Sequence, residues 1–318
     1  MLQPDLVDRP NILQASKRIA KHIRVTPTLP LESHAFAIDA SLTLKLELFQ
    51  VSGSFKARGA FNRILCAEST AAGVIAASGG NHGAAVAYAA RALTMRAEIF
   101  VPTTSAAVKI RRLREYGAHV TVIGDTYADA LTASRERARE TGALEVHAFD
   151  HCDVIAGAAT MALEFERQVP ALDTIVVAVG GGGLIAGVAS WYDERVKIVA
   201  AESEGCPTLH AALEAGEPVD VVTGGLAADS LGARRVGAIA FKMLQKTGVS
   251  SVLVPDVAIA QAQVALWDSV RVLAEPGGAT ALAALLCGAY TPSPGERVGV
   301  VVCGGNVSPA TYAPADQA

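Results

Sequence analysis

The chain alternates short apolar runs with alanine-rich stretches of helical length, and this alternation constrains the fold more than any other feature. The runs that predict strands cover residues 73–77, 97–101, 119–123, 174–179, 197–201 and 298–302. Predicted helices lie between them at residues 83–93, 106–116, 127–141, 155–168 and 184–192. Strands and helices at this spacing form βαβ units, so the sequence predicts an α/β fold with a mainly parallel sheet. Residues 42–48 alternate apolar and polar side chains strictly and predict a half-exposed strand.

The composition is typical of a well-buried soluble enzyme. The 318 residues exceed one average core, which predicts one large domain or two closely joined domains. Apolar residues make up 51% of the chain and charged residues only 18%, which argues against disorder. The formal net charge is −4 and no basic stripe is interleaved with aromatic residues, so we expect no nucleic-acid partner.

Membrane, secretory and metalloprotein classes are also disfavoured. Residues 1–5 lack the basic and apolar parts of a signal peptide. The longest apolar stretches, residues 174–190 and 279–290, are too short or too interrupted by glycine to span a bilayer. The five scattered cysteines include no CxxC pair, which predicts reduced thiols in the cytoplasm. The seven histidines lack an HExxH spacing, so we expect no transition-metal centre.

Lys56 is the strongest candidate for a reactive side chain. It ends the segment Ser-Gly-Ser-Phe-Lys at residues 52–56. An isolated lysine is usually a solvated surface charge. A lysine among aromatic and small residues can have a lowered pKa, and the neutral amine is then a nucleophile.

Three further segments follow apolar runs and are predicted to form strand-to-helix turns. They are Ser-Gly-Gly-Asn-His-Gly at 78–83, Gly-Gly-Gly-Gly-Leu at 180–184 and Cys-Gly-Gly-Asn at 303–306. Glycines at such a turn let backbone N–H groups converge on an anion, and the helix N-terminus adds partial positive charge. The second segment is therefore a candidate phosphate cradle and the first a candidate carboxylate cradle. The simpler interpretation of the glycine run at 180–183 is a plain tight turn, and that of Ser78 is a helix cap.

The glycine run also permits a competing interpretation. Gly181, Gly183 and Ala186 match a permissive dinucleotide fingerprint, and Glu202 lies near the acidic position that binds a ribose. This turn normally belongs to the first βα unit of a Rossmann domain, whereas here it falls in mid-chain. A nucleotide-binding oxidoreductase, or an amino-acid-binding module in which Lys56 is idle, remain the alternatives from other classes.

Taken together and in this order, the four segments resemble those of the fold-type II pyridoxal-phosphate enzymes, in the branch of the serine/threonine dehydratases and serine racemases. The resemblance runs from about Thr26 to about Pro309. It implies a fold like that of the tryptophan synthase β subunit, with two three-layer α/β domains and the cofactor in the cleft between them. A small substrate-binding domain at 70–146 would be inserted into a large cofactor-binding domain formed by 1–69 and 147–318. The C-terminal regulatory domain of biosynthetic threonine dehydratases is expected to be absent.

The resemblance also implies the roles of individual residues. Lys56 would be the catalytic residue and the covalent attachment point of pyridoxal phosphate. The other implied cofactor-binding residues are Phe55, Asn81, Gly180, Gly181, Gly182, Gly183, Leu184, Glu275 and Cys303. The implied substrate-binding residues are Ser78, Gly79, Gly80, Asn81 and His82, with His82 more consistent with a helix start than with proton transfer.

Within this resemblance, three residues would meet defined parts of the cofactor. Asn81 would bond the 3′-oxygen and Phe55 would pack beside the ring. Cys303 would face the pyridine nitrogen, where a neutral thiol cannot hold a proton as an aspartate would. The ring would then draw less charge from Cα, which suits prompt β-elimination. Glu275 would lie near the ring, although on sequence alone it could equally be a solvated carboxylate at a helix end.

The implied function is a cytoplasmic, homodimeric lyase that converts L-serine or L-threonine to a 2-oxo acid and ammonia, with the cofactor phosphate as an implied proton donor to the leaving hydroxyl. Alternatives within the family are a serine racemase and a dehydratase of 3-hydroxyaspartate or phenylserine. A β-replacement synthase fits less well, because cysteine synthases resemble Ser-Val-Lys-Asp-Arg at the lysine segment. Racemases of the family carry a serine where this chain has Gly79, which favours elimination over racemisation.

A loop after the predicted strand at 197–201 resembles the cation-binding loop of the same family. The implied ligands are Glu202, the Cys206 carbonyl and Thr208. Since Thr208 is neutral where racemases that bind divalent ions have an aspartate, the loop predicts K⁺ or Na⁺ instead of Mg²⁺ or Ca²⁺. An ordinary loop with solvated acids is the alternative.

Overall fold

The computed structural model describes residues 6–32 and 34–308, so Pro309, where the predicted family-like region ends, lies outside the described residues. Within those ranges the strands are β1 (Thr28–Pro30), β2 (Ala40–Leu46), β3 (Val74–Ala77), β4 (Ala97–Val101), β5 (His119–Val122), β6 (Leu144–Glu145), β7 (Thr174–Ala178), β8 (Lys197–Ser203), β9 (Ser250–Val254) and β10 (Glu296–Val302). The α-helices are α1 (Arg9–Ile19), α2 (Lys56–Cys66), α3 (Asn81–Ala92), α4 (Ala107–Glu115), α5 (Tyr127–Thr141), α6 (Cys152–Gln168), α7 (Gly183–Tyr192), α8 (Thr208–Ala215), α9 (Ala228–Leu231), α10 (Ala238–Leu244), α11 (Asp256–Val270) and α12 (Pro276–Leu286).

The strands form two sheets. The larger sheet has six strands in the order β1-β2-β10-β7-β8-β9, and all its pairs are parallel except β1 with β2. The smaller has four parallel strands in the order β5-β4-β3-β6. The predicted α/β fold with mainly parallel sheets is confirmed. All four strands of the smaller sheet fall inside the predicted small-domain segment, while the division at residues 70 and 146 remains a prediction.

Several predicted elements agree closely with the structure because local signals set their ends. Helix α5 begins after Thr126, whose side chain accepts from the Asp129 N–H while Asp129 bonds back to the Thr126 N–H. It ends at Gly142, which adopts φ 72° in the left-handed region. The central strands β7 and β10 are buried through most of their length, as expected for parallel strands covered on both faces.

The prediction of a half-exposed strand at 42–48 is wrong at Lys45. This side chain is fully buried and its amine donates to Glu164 (2.6 Å), Gln168 (2.7 Å) and the Thr26 carbonyl (2.8 Å). Arg58 and Glu47 lie in the same place, and Arg58 also bonds Glu164. We call Lys45, Glu47, Arg58 and Glu164 the buried charge cluster. It ties α2 to α6 beneath the larger sheet.

None of the helices within the described ranges is long and apolar enough to cross a membrane.

Candidate active site

Lys56 is the first residue of α2 and its amine is turned inward. The chain reaches α2 through a tight turn in which Ser52 and Gly53 adopt φ values of 62° and 82°. The Lys56 Nζ donates to the Ala148 carbonyl at 2.9 Å and lies 5.1 Å from the centre of the Phe55 ring. Desolvation by burial lowers the pKa of this amine to about 8, and the nearby Glu275 carboxyl opposes this shift only in part. The amine is therefore much easier to deprotonate than that of a surface lysine.

The glycine run at 180–183 forms the turn from β7 to α7. Gly182 adopts φ 84°, which favours glycine. A Cβ on Gly181 would lie 2.3 Å from the Phe149 ring, so this position has no room for a side chain. The first N–H groups of α7 have no partner within the helix and form an anion-binding end. Gly183 and Leu184 line the same small cavity as Phe55 and Lys56. The candidate nucleophile and the candidate phosphate cradle thus border one space.

The segment at 78–82 forms the turn from β3 to α3. Gly80, not Ser78, precedes the first residue of α3, and the Ser78 hydroxyl accepts from the Gly80 N–H at 3.3 Å. His82 is buried and its Nε2 bonds the Val146 carbonyl at 2.7 Å. Burial and the nearby Lys56 charge lower the pKa of His82 to about 3. A neutral imidazole fixed in this way holds α3 in place and is not poised to exchange protons.

Cys303 follows β10 and remains a neutral thiol. It is buried, and its Sγ donates to the Gly277 carbonyl at 3.3 Å. Burial, reinforced by the Glu275 charge, raises the pKa of Cys303 to about 12. Around neutral pH this group offers a weak donor without negative charge.

Glu275, Asn81 and Asn306 form a hydrogen-bonded chain across the cleft between the two sheets. The Asn81 amide donates to Glu275 at 2.5 Å, and the Asn306 amide donates to the Asn81 Oδ1 at 2.5 Å and to the Ser52 carbonyl at 3.0 Å. Glu275 is buried, which raises its pKa to about 7. Asn81 and Glu275 were both predicted site residues. Asn306 belongs to a predicted segment, but sequence reasoning gave it no role.

The groups brought together here fit pyridoxal phosphate, the cofactor that the resemblance implies. They supply an amine of lowered pKa, the first N–H groups of α7, which have no partner within that helix, and a buried neutral thiol. In addition, the Ser54 hydroxyl, next to Gly304, is fully buried with no hydrogen-bond partner among the described residues. Such an orphaned donor two residues before Lys56 indicates a site that receives a polar ligand.

A larger cleft opens next to these groups and encloses about 260 Å³. Gly79, Gly80 and Asn81 line it, as do Glu275 and Asn306. Three charged residues to which sequence reasoning gave no binding role also line it, namely Lys109, Arg112 and Asp229. Their only sequence signal was the spacing of Lys109 and Arg112 on one predicted helix, which does not reveal what the helix faces.

The predicted cation ligands lie in a segment that is hydrogen-bonded to the glycine run. The Thr208 hydroxyl donates to the Gly180 carbonyl at 2.5 Å and lies 3.3 Å from a Glu202 oxygen. The Cys206 carbonyl accepts from the Thr208 N–H at 3.1 Å. The buried Glu202 carboxylate accepts from the Leu209 and His210 N–H groups, both at 2.8 Å. The Glu202 carboxylate is thus held at the first turn of α8.

The chain matches a protein-family model described as "pyridoxal-phosphate dependent enzyme" over residues 19–304. It is 37% identical to the biosynthetic L-threonine dehydratase of Haemophilus influenzae over 289 residues, which is 89% of this chain and 56% of that protein. The chain thus spans little more than half the length of that relative. It is 34% identical to the phenylserine dehydratase of Ralstonia pickettii, covering 93% of this chain and 92% of that protein.

The fold agrees with solved structures of the same kind. The serine racemase of maize superimposes with a TM-score of 0.91 at 32% sequence identity, covering 96% of this chain and 95% of that chain. This agreement confirms the predicted fold-type II architecture.

Proposed function

Because the chain belongs to the family of pyridoxal-phosphate-dependent enzymes, we propose that it is a lyase that converts L-serine or L-threonine to a 2-oxo acid and ammonia. The observation that carries this proposal is the cavity shared by Lys56 and the glycine run, with the amine at a pKa of about 8. The names of the curated relatives, which include several threonine dehydratases, support the same reaction.

When bound, pyridoxal phosphate withdraws electrons from the Cα of an attached amino acid and so acidifies its proton. Lys56 would hold the cofactor through its amine, the N–H groups of residues 180–184 would bind the phosphate, and Cys303 would meet the ring nitrogen. The lowered pKa of Lys56 lets its amine serve first as the attachment point and then as the base that takes the Cα proton.

The turn at 78–81 is the proposed binding site of the substrate's α-carboxylate. Its backbone N–H groups and the Ser78 hydroxyl lie at the start of α3, and Gly79 and Gly80 line the open cleft. With Cα fixed from this side, the β-hydroxyl leaves as water. A water molecule then enters as ammonia departs, so the net products are a 2-oxo acid and ammonia.

Two residues favour elimination over racemisation. Gly79 has no side chain to deliver a proton to the face of Cα opposite Lys56. Cys303, with a pKa of about 12, stays neutral and does not hold a proton on the ring nitrogen. Both features limit return of the proton to Cα.

The proposal extends to a bound K⁺ or Na⁺, a homodimer and a cytoplasmic location. Support for the cation is the position of Glu202, Cys206 and Thr208 in one segment beside Gly180. Support for a reducing compartment is that the five cysteines are scattered along the sequence without a CxxC pair. Sedimentation of the purified protein tests the dimer.

The test of the proposed function combines a spectrum with a substrate panel. The purified protein should be yellow, with a visible absorption band from lysine-bound cofactor, and should release 2-oxo acid from L-serine or L-threonine. Lys56→Ala should lose both the band and turnover, whereas Lys17→Ala, which alters an exposed lysine on α1, should retain them. A borohydride-reducible cofactor bond that persists in Lys56→Ala would assign the anchor to another lysine, such as Lys45 or Lys109. Absence of the band from the native protein would refute the proposal.

A further inference from the structure

Arg112 brings a cation into the cleft that the proposed mechanism does not use. It lies on α4, one turn after Lys109, and both side chains line the cleft together with Gly79 and Gly80. Arg112 is half-buried and its charge is close enough to Glu275 to lower the pKa of that carboxyl against the larger effect of burial. The guanidinium therefore lies near the site of chemistry and not on a distant surface.

Of the two cations that line the cleft, Lys109 and Arg112, only Lys109 has an ion-pair partner among the described residues. Lys109 is paired with Asp229. Within the described ranges Arg112 forms no ion pair; its Nε donates to the Tyr116 hydroxyl at 3.4 Å, and its guanidinium carbon lies 5.8 Å from the centre of the Tyr116 ring. Its two terminal nitrogens are thus left for a ligand. A guanidinium presents parallel N–H donors that match a carboxylate in bidentate geometry.

The substrate's own α-carboxylate is not the natural partner of this arginine, because the turn at 78–81 already provides N–H groups for it. An amino acid with a second anionic group would reach both. On the basis of the proposed dehydratase function, we propose that Arg112 binds the side-chain carboxylate of a 3-hydroxy dicarboxylic amino acid, and that 3-hydroxyaspartate is a substrate. The cleft of about 260 Å³ has room for its four carbons.

The reaction with this substrate balances without any further reactant. The Cα–H and Cβ–O bonds break, Lys56 takes the Cα proton, and the hydroxyl leaves, so that one proton and one hydroxide together account for the one water released. One water then returns as the C–N bond is hydrolysed, so 3-hydroxyaspartate yields oxaloacetate and ammonia. L-Threonine presents a methyl group at the same place, which offers nothing for Arg112 to bind.

The experiment measures kcat/KM for L-threo-3-hydroxyaspartate and for L-threonine with the native holoenzyme and with Arg112→Ala. In the native enzyme the value should be higher for 3-hydroxyaspartate. In Arg112→Ala the ratio of the two values should fall by about tenfold to a hundredfold, the range expected for one charge-assisted hydrogen-bonded pair. Most of the fall should come from KM for the dicarboxylic substrate, and Arg112→Lys should restore part of it.

The matched control is Arg111→Ala on the same helix. Arg111 is 68% exposed in its side chain and pairs with Glu115, so the ratio should stay at the native value. Succinate binding to the holoenzyme by calorimetry gives a readout that does not depend on turnover. Its Kd should rise by a similar factor in Arg112→Ala and stay unchanged in Arg111→Ala.

The outcomes separate this proposal from the proposed function. Turnover of L-threonine without turnover of 3-hydroxyaspartate, or an unchanged ratio in Arg112→Ala, overturns the role of Arg112 and leaves the dehydratase intact. If Arg112→Ala lowers kcat/KM more for O-phospho-L-threonine than for 3-hydroxyaspartate, then Arg112 binds a phosphate and not a carboxylate, and the proposal is overturned. Absence of both the cofactor band and 2-oxo acid release from every β-hydroxy amino acid refutes the dehydratase and, with it, this substrate.

Discussion

The buried charge cluster should contribute strongly to stability, and Glu47→Gln isolates that contribution. Arg58 donates from Nε to one Glu47 oxygen at 2.8 Å and from Nη2 to the other at 2.7 Å, and both side chains are fully buried. Glutamine keeps the size of Glu47 but places an NH₂ donor against the Arg58 donors and leaves the cluster with excess positive charge. Removing one partner of a buried pair costs about 3–5 kcal/mol. We expect the lower end, about 3 kcal/mol, because Glu164 still contacts both Arg58 and Lys45.

The effect should depend on pH with a defined sign. Burial alone would raise the pKa of Glu47, but the adjacent Arg58 outweighs it and the pKa lies below its ordinary value of 4.5. A carboxyl with a lowered folded-state pKa contributes stability above its unfolded value and loses it as pH falls. The difference in the free energy of unfolding between native protein and Glu47→Gln should therefore be largest near pH 7 and narrow below pH 4.5.

The assay is urea unfolding followed by circular dichroism at pH 7 and at several lower pH values. Glu115→Gln is the control, since Glu115 is 64% exposed in an ion pair within α4 and such pairs are worth under about 1 kcal/mol. A loss below about 1 kcal/mol in Glu47→Gln would show that the cluster is not held together by its charges. So would a difference from native that stays constant as the pH falls.

Three further predictions concern the site. Gly79→Ser should raise the amount of D-serine formed from L-serine relative to pyruvate, as measured by chiral analysis; the new Cβ would lie 3.1 Å from the Ser105 hydroxyl, so only a small shift is needed to fit it. If the native enzyme itself formed as much D-serine as pyruvate, the proposed role of Gly79 would be contradicted. Gly181→Ala should weaken pyridoxal phosphate binding by about tenfold or more in an absorbance titration, because the added Cβ collides with Phe149. Gly224→Ala is the control and should leave binding unchanged, because the space around Gly224 is open. Activity should rise when K⁺ replaces tetramethylammonium and should resist EDTA; loss with EDTA that Mg²⁺ restores would show a divalent site.

The fold could be predicted largely from the sequence because its signals are local. Central strands such as Ala97–Val101 are apolar runs bounded by turns, and α5 carries a capping residue at each end. Three strands were missed, and each lies at the edge of its sheet: Thr28–Pro30, Leu144–Glu145 and Ser250–Val254. The first two are only three and two residues long, so little pattern exists there. Lys45 shows why local patterns cannot predict every buried residue, because its burial depends on Glu164, which is 119 residues away in the sequence.

The site was only partly predictable for the same physical reason. Each glycine-rich turn has a local signature, so the segments around Lys56, Ser78, Gly180 and Cys303 could be recognised. Which side chains meet across the cleft depends on the packing of the two sheets. The pairing of Lys109 with Asp229 joins residues 120 positions apart, and neither lies in a motif. Arg112 consequently emerged only from the structure.

The position of the site follows from the direction of the strands. In parallel α/β sheets, ligands bind beyond the carboxyl ends of the strands. Strands β3, β7 and β10 end at Ala77, Ala178 and Val302, and each is followed at once by one of the recognised turns. The smaller sheet supplies the turn after β3, and the larger sheet supplies the other two. The bond from Asn81 to Glu275 joins the turn after β3 to the start of α12, so it connects the two sheets across the cleft. Any substrate held at 78–81 must therefore lie between that turn and the groups around Lys56. Arg112, on the smaller-sheet side, is then placed to bind an anionic group on the substrate's side chain.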